Sequence, residues 1–314
     1  MQMKHLRKLF LMMMMLVGMI VVAACGSDEI TTDNGEEKIV VVTTIAQIAD
    51  GVKNIGGDQV EVVSLMGPGV DPHLYKATQS DMKKLEQADM IFYNGLHLEG
   101  KMLEIFEKMN ETKPTYAIAE GIDPSFLRDD MADATIIDPH IWFNIDIWQD
   151  ALHEITVGLS EYDSENKELY EENEKKYFAE LTELKEYAAS KIQEVPEESR
   201  VLVTAHDAFN YFGAAYNMEV MGLQGLSTDA EYGLGDVQEL VNVLVEREIG
   251  AVFVESSISE KSINAVIEGS KDKGHEVVIG GELFSDAMGE EGTEEGTYIG
   301  MYRHNVDTIV EALK

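Results

Sequence analysis

Between Ser164 and Val195 the chain runs for 32 residues without a glycine or a proline. The stretch is rich in Glu, Lys, Leu and Ala, all compatible with a long helix. Tyr170, Tyr177, Leu181 and Leu184 recur at steps of 7, 4 and 3, which places them on one helical face. As a single helix it would reach nearly 50 Å at about 1.5 Å per residue, and Pro196 ends it. Its apolar face is too short for several clean heptads, which argues against a coiled-coil dimer and for a monomer. On either side, short apolar β-branched runs alternate with helix-like stretches. Before it come strand-like Ile39–Thr43, Val60–Met66, Met90–Tyr93 and Thr115–Ile118, with a helix from Ile45 that stops at Gly56 and Gly57. After it come strand-like Val201–Thr204, Glu219–Leu223, Ala251–Val254 and Val277–Ile279, with helices at Asp236–Arg247, Lys261–Lys273 and Thr297–Leu313. That rhythm predicts an α/β protein of two lobes with mostly parallel sheets, joined by one long helix. The expected divisions are a first lobe over 38–160, the helix over 161–196 and a second lobe over 197–314.

A hydrophobic share of 45% and a charged share of 26% suit a chain with a core and exclude a disordered one. The formal net charge of −35 repels phosphate backbones, so nucleic acid is not an expected partner. One cysteine permits neither an internal disulfide framework nor a Cys-rich zinc module. Its place is informative. Lys4, Arg7 and Lys8 form a basic head, and Leu9 to Ala24 carry no charge. That run spans about 24 Å as a helix, short for a membrane crossing, and reads as a secretory signal over 1–24. It ends Val22-Ala23-Ala24-Cys25, then Gly26-Ser27-Asp28, which resembles a bacterial lipobox. Cys25 would then be the lipidated first residue of the mature chain. Residues 25–37, polar and acidic, read as a flexible tether to the outer face of a membrane.

Of eight histidines, two sit in the same tripeptide: Asp71-Pro72-His73 and Asp138-Pro139-His140. Proline stiffens each turn and removes a backbone donor. His206 follows the strand-like Val201–Thr204, and Asp286 follows Val277–Ile279. Ligands in open α/β sheets gather beyond the carboxyl ends of strands. Three of these four residues fall there; the place of His140 does not follow from pattern. Three imidazoles and one carboxylate would make a complete protein ligand set for a transition-metal ion.

Five motifs then stand in order: Asp71-Pro72-His73-Leu74-Tyr75, Asn94-Gly95-Leu96-His97-Leu98-Glu99, Asp138-Pro139-His140-Ile141-Trp142, Thr204-Ala205-His206 continuing to Phe212, and Leu283-Phe284-Ser285-Asp286. Together they resemble the zinc- and manganese-binding, TroA-like solute-binding lipoproteins of bacterial ABC importers, from about Ile39 to the C-terminus. The resemblance implies a rigid linking helix, metal in the cleft between lobes and an ABC permease as partner. It implies His73 and His140 as ligands from the first lobe, and His206 and Asp286 from the second. It also implies a binding protein, not an enzyme.

Manganese-preferring members often carry Glu where this chain has His206, and many zinc-specific members carry a His-rich loop before the second ligand. Here Arg128 to Asp138 contains Asp129, Asp130 and Asp133 but no histidine. The three-His, one-Asp set therefore suits either ion. The Irving–Williams order favours zinc for a nitrogen-rich site, with manganese next.

Glu255 ends the strand-like Ala251–Val254 and is a candidate to orient His206 from behind the ligand shell. A helix cap or surface acid is the alternative reading. Asp71 and Asp138 either hold the far nitrogens of the histidines or cap their turns. His97 reads as a loop residue, His153 as a solvated helix residue, His275 as an exposed turn residue and His304 as a helix residue outside the site. The acidic run from Glu161 to Glu174 lacks an EF-hand loop and reads as a solvated helix face. A zinc hydrolase using Glu255 as general base is a rival function. No His-Glu-x-x-His helix or Gly-x-Ser-x-Gly elbow supports it. A surface adhesin is a second rival, for which no residue argues directly.

Overall fold

β-branched residues fill the first strand, β1 (Ile39–Thr43), and a strand buried on both faces is where they pack best. It lies inside a parallel sheet of order β2-β1-β3-β4 with β2 (Val60–Ser64), β3 (Met90–Tyr93) and β4 (Thr115–Ala117). Val41 is opposite Val62 on one side and Met90 on the other. The helices of this half are α1 (Ala46–Gly56), α2 (Gln79–Gln87), α3 (Leu103–Asn110) and α4 (Ile145–Tyr162). Gly57, at φ 55°, closes α1 in a conformation that favours glycine. The computed structural model describes residues 38–129, 135–230 and 232–314. The signal, Cys25, the tether, Asp130 and Asp133 lie outside them.

The long helix, α5 (Lys167–Ile192), is shorter than its composition suggested. Residues 161 and 162 belong to α4, and Asp163 breaks the path without glycine or proline. Its carboxylate accepts hydrogen bonds from Asn166 Nδ2 and Tyr170 OH, both at 2.7 Å. At the other end the helix stops before Pro196, because the residue ahead of a proline disfavours the helical conformation. The expected face is the buried one: Tyr170, Tyr177, Leu181 and Leu184, extended by Ala188 and Ile192. It packs on α1 and α4 of the first half and on α9 (Tyr298–Leu313), the last helix. Tyr177 OH donates to Asp50 at 2.6 Å, and Asn173 Nδ2 donates to the Ile55 carbonyl at 3.0 Å.

The second half holds β5 (Val201–His206), α6 (Asn210–Tyr216), β6 (Glu219–Gln224), α7 (Leu234–Glu246), β7 (Ala251–Glu255), α8 (Lys261–Asp272) and β8 (Val278–Leu283). β5 pairs with β6, and β7 with β8, both in parallel. These are separate two-stranded sheets, but β5 lies beside β7, so side by side the strands run β6-β5-β7-β8, the same succession as in the first sheet. That repeat is invisible in the sequence. One hydrophobic cluster runs from β1 through α4 and α5 to α9, and a second fills the space around β5, β7, α7 and α8. Residues 38–314 form one compact body.

Candidate metal centre

The four expected residues converge. His73, His140, His206 and Asp286 each offer a donor atom, and these atoms lie within 4.8 Å of one another. Three of them arrive on strand ends or the turns that follow them: His73 after β2, His206 as the last residue of β5, and Asp286 three residues beyond β8. His140 opens a short turn ahead of α4, and it lies there because other residues pin it. Asn94, just past β3, donates from Nδ2 to the Pro139 carbonyl at 3.0 Å. Asn94 and Gly95 in turn donate backbone N–H groups to buried Glu99, which also accepts the Thr44 hydroxyl at 2.6 Å. Burial pushes the Glu99 carboxyl up. The Asn94–Glu99 motif thus shapes the floor under His140 and supplies no donor to the cluster. Leu96 and His97 within it sit at positive φ, and His97 is exposed.

The spacing of the donors is that of a coordination shell. His73 Nε2 lies 3.3 Å from His140 Nε2. Two facing ring nitrogens repel unless a proton or a cation sits between them. Asp286 stands 3.3 Å from His140 Nε2, 3.4 Å from His206 Nε2 and 3.7 Å from His73 Nε2. Neither of its oxygens has a well-directed hydrogen-bond donor among the described residues. A buried carboxylate without donors is costly unless a cation completes it. A tetrahedron with bonds of about 2.0–2.1 Å has edges of about 3.4 Å, so most of these separations match a zinc shell.

One outer nitrogen, that of His140, is held as a metal-binding histidine requires. His140 Nδ1 donates to Asp138 Oδ1 at 2.7 Å, which leaves the Nε2 lone pair facing inward. The same oxygen accepts the His140 backbone N–H, so Asp138 both holds the ring and caps the turn. Asp71 does only the second: its Oδ1 accepts the His73 backbone N–H at 2.9 Å. Glu255 is no surface acid or helix cap. It is buried at the end of β7, with Oε1 accepting the His206 backbone N–H at 2.9 Å and Oε2 2.6 Å from His206 Nδ1. The second contact is close but bent away from the ring N–H direction, so it acts chiefly through charge.

Charge separates the three rings. Burial, with the neighbouring imidazoles, pushes His73 down to about 3 against the pull of Asp286. Burial also opposes the charged form of His140, but Asp138 and Asp286 outweigh it and push that ring up to about 9. At His206 burial is outweighed by Glu255 and Asp286, which hold it well above the ordinary histidine value. Burial works against ionised Asp286 as well, yet His206, His140 and His73 keep it well below the usual carboxylate range. Without a metal, the raised His140 and His206 favour their protonated forms.

The remaining histidines stay outside. His153 is exposed and lies 2.6 Å from Glu174 of α5. His275, expected on the surface, is half-buried with Nε2 2.7 Å from the Ile249 carbonyl. His304 Nε2 lies 3.0 Å from the Glu282 carbonyl. Sequence reasoning missed Asn210, Tyr211 and Thr228 from the second half. Asn210 Nδ2 donates to Asp138 Oδ2 at 3.3 Å, Tyr211 OH to the Asp138 carbonyl at 3.0 Å, and Thr228 Oγ1 to Asp71 Oδ2 at 2.6 Å. Only tertiary contact reveals them, since each lies more than 70 residues from its partner.

Four buried donor residues on an α/β scaffold, with a carboxylate behind each of the three histidines, form a group that could hold a metal ion. Over residues 41–312 the chain matches the family described as zinc-uptake complex component A, periplasmic, and it belongs to that family. It is 56% identical over 271 residues to the manganese-binding lipoprotein MntA of Bacillus subtilis, covering 86% of this chain and 88% of that one. It is 47% identical over 271 residues to the zinc-binding protein TroA of Treponema pallidum, covering 86% and 87%. The solved structure of periplasmic zinc-binding TroA from Treponema pallidum superposes with a TM-score of 0.86 at 46% identity, covering 88% of this chain and 99% of that one. These relatives are named for binding, none for catalysis.

Proposed function

We propose that this protein captures one divalent transition-metal ion outside the cytoplasmic membrane and delivers it to the permease of an ABC importer. His73, His140, His206 and Asp286 are the ligands, and Glu255 orients His206. The observation that carries this reading is the buried cluster of four donor atoms within 4.8 Å. Four protein ligands complete a shell by themselves, which suits capture better than catalysis. The donor set favours zinc at equal free concentrations, and manganese is the cargo where free zinc is scarce. Relatives named for each ion, manganese at 56% identity and zinc at 47%, support a site that accepts both.

The same reading makes Cys25 the lipid anchor and the chain a monomer tethered to the outer membrane face. The lipoprotein names of relatives support the anchor. Two lobes, 38–160 and 197–314, close on the ion about the long helix. Metal-stripped protein dialysed against equal free zinc and manganese tests the capture. One equivalent of zinc is expected, lost in Asp286→Ala and shifted toward manganese in His206→Glu. One equivalent of manganese in the parent would overturn the zinc preference, and no stoichiometric metal would overturn the function.

A further inference from the structure

The two Asp-Pro-His turns are built alike, yet they are tied to the second half in different ways. In each, one aspartate oxygen accepts the backbone N–H of its own histidine. The other oxygen accepts a side chain from the second half: Asn210 at Asp138, Thr228 at Asp71. Around His140 this tie is one of many. Tyr211 OH donates to the Asp138 carbonyl, and Tyr298 and Tyr302 donate to the Trp142 and Phe143 carbonyls at 2.6 and 2.9 Å. Trp142 Nε1 donates to the Ser285 carbonyl, and the rings of Phe143 and Phe209 lie 4.4 Å apart. These groups are buried, so the His140 side is fused to the second half by a packed aromatic core.

The His73 side is not. A cavity of about 410 Å³ opens beside its loop, between Pro68 and Gly69 on one wall and Phe284 and Met288 on the other. Thr228 belongs to a tight surface turn in which Asp229 N–H bonds Ser227 Oγ and Ala230 N–H bonds the Ser227 carbonyl. The turn reaches the first half again through Asp229, whose carboxylate meets Lys101 Nζ at 2.7 Å. His73, at 4% exposed, is also the ligand that retains most contact with solvent; the others are at 1% or less.

We infer that Thr228 is a positioning residue for His73, acting through Asp71, and that the Ser227–Ala230 turn is the gate through which the ion passes. Its hydroxyl holds the Asp71-Pro72-His73 turn in place from across the molecule. When that bond breaks, the turn swings away while His140 stays fixed. Release therefore begins at His73. Lys101 and Asp229 add an exposed ion pair that salt weakens. The inference rests on metal capture by the four ligands.

Thr228→Val keeps the shape and removes the hydroxyl; Thr228→Ser keeps the hydroxyl. Zinc-loaded protein is mixed with an excess of a chromogenic chelator and the release rate is followed, with urea unfolding of the metal-free forms alongside. Thr228→Val should release zinc about tenfold faster, as expected for the loss of one hydrogen bond to a carboxylate. Thr228→Ser should stay near the parent in both readings, and metal-free Thr228→Val should still unfold in one cooperative transition, destabilised by no more than the loss of that bond. Parent-like release from Thr228→Val, or equal acceleration in both variants, would overturn the gate. A parent that holds no zinc would remove the capture reading itself, and the gate with it.

Discussion

Glu255→Gln tests whether a charge behind the ligand shell tunes the metal site. The substitution keeps size and shape in a fully buried position. If the new amide oxygen keeps the His206 backbone N–H, the amide NH₂ faces His206 Nδ1, where Oε2 now lies 2.6 Å away. An NH₂ group there drives the ring proton to Nε2, the nitrogen that faces Asp286 at 3.4 Å. Metal binding must then return the proton to Nδ1, against another donor. Turning the amide over sets NH₂ against the backbone N–H instead. Either way one buried donor opposes another in the metal-bound state, a conflict of about 1–3 kcal/mol. The zinc Kd should therefore weaken about 10- to 100-fold, the usual range for a partner of a metal-bound histidine. Competition against a chelating dye at constant pH gives the ratio, and buffers of different ionisation enthalpy give the protons released. Glu255→Gln should release fewer, because His206 loses the carboxylate that holds it protonated. A Kd within threefold of the parent, with unchanged proton release, would refute the reasoning.

Zinc affinity should fall steeply with acid. His140 is pushed up to about 9 and His206 lies well above its ordinary value, so binding displaces protons from both rings, and Kd should weaken by about tenfold or more per pH unit as pH falls below about 9. A Kd that is flat between about pH 6 and 8 would contradict the proton balance assigned to the site. In the metal-free protein the raised His140 contributes stability that is complete below about pH 6.5 and lost as pH rises through about 9; urea unfolding of Asp138→Asn against pH reads it as a flattened profile. Thr78→Ala removes a capping box at the start of α2, where Thr78 accepts from Asp81 N–H and Asp81 accepts from Thr78 N–H. It should cost about 1 kcal/mol by urea unfolding and leave the zinc Kd unchanged, since Thr78 touches no ligand; a weaker Kd would show that α2 reports on the site.

The α/β rhythm was legible because most strands read as short apolar runs, several of them β-branched, and most helices as a 3.6-residue face. Met90–Tyr93 needed no tertiary help. The ends of α5 did: Asp163 stops one helix and starts the next through its own hydrogen bonds with Asn166 and Tyr170, which no breaker residue announces. The ligand types were readable as well. Repeated Asp-Pro-His turns and residues at strand ends carry chemistry in their immediate neighbours, and the resemblance to family motifs placed them in one order along the chain.

What the sequence determined by itself is local: which segments are strands or helices, which turns are stiff, and which side chains can bind a cation. Convergence was decided by folding. His140 lies in no regular element, and it reaches the other donors because Asn94 pins Pro139 and an aromatic core fastens the turn to α6 and α9. The partners of Asp71, Asp138 and His206 come from 157, 72 and 49 residues away. No periodicity encodes such pairs, because a hydrogen bond depends on position in space and direction, and those are set only when the sheets and the long helix have packed.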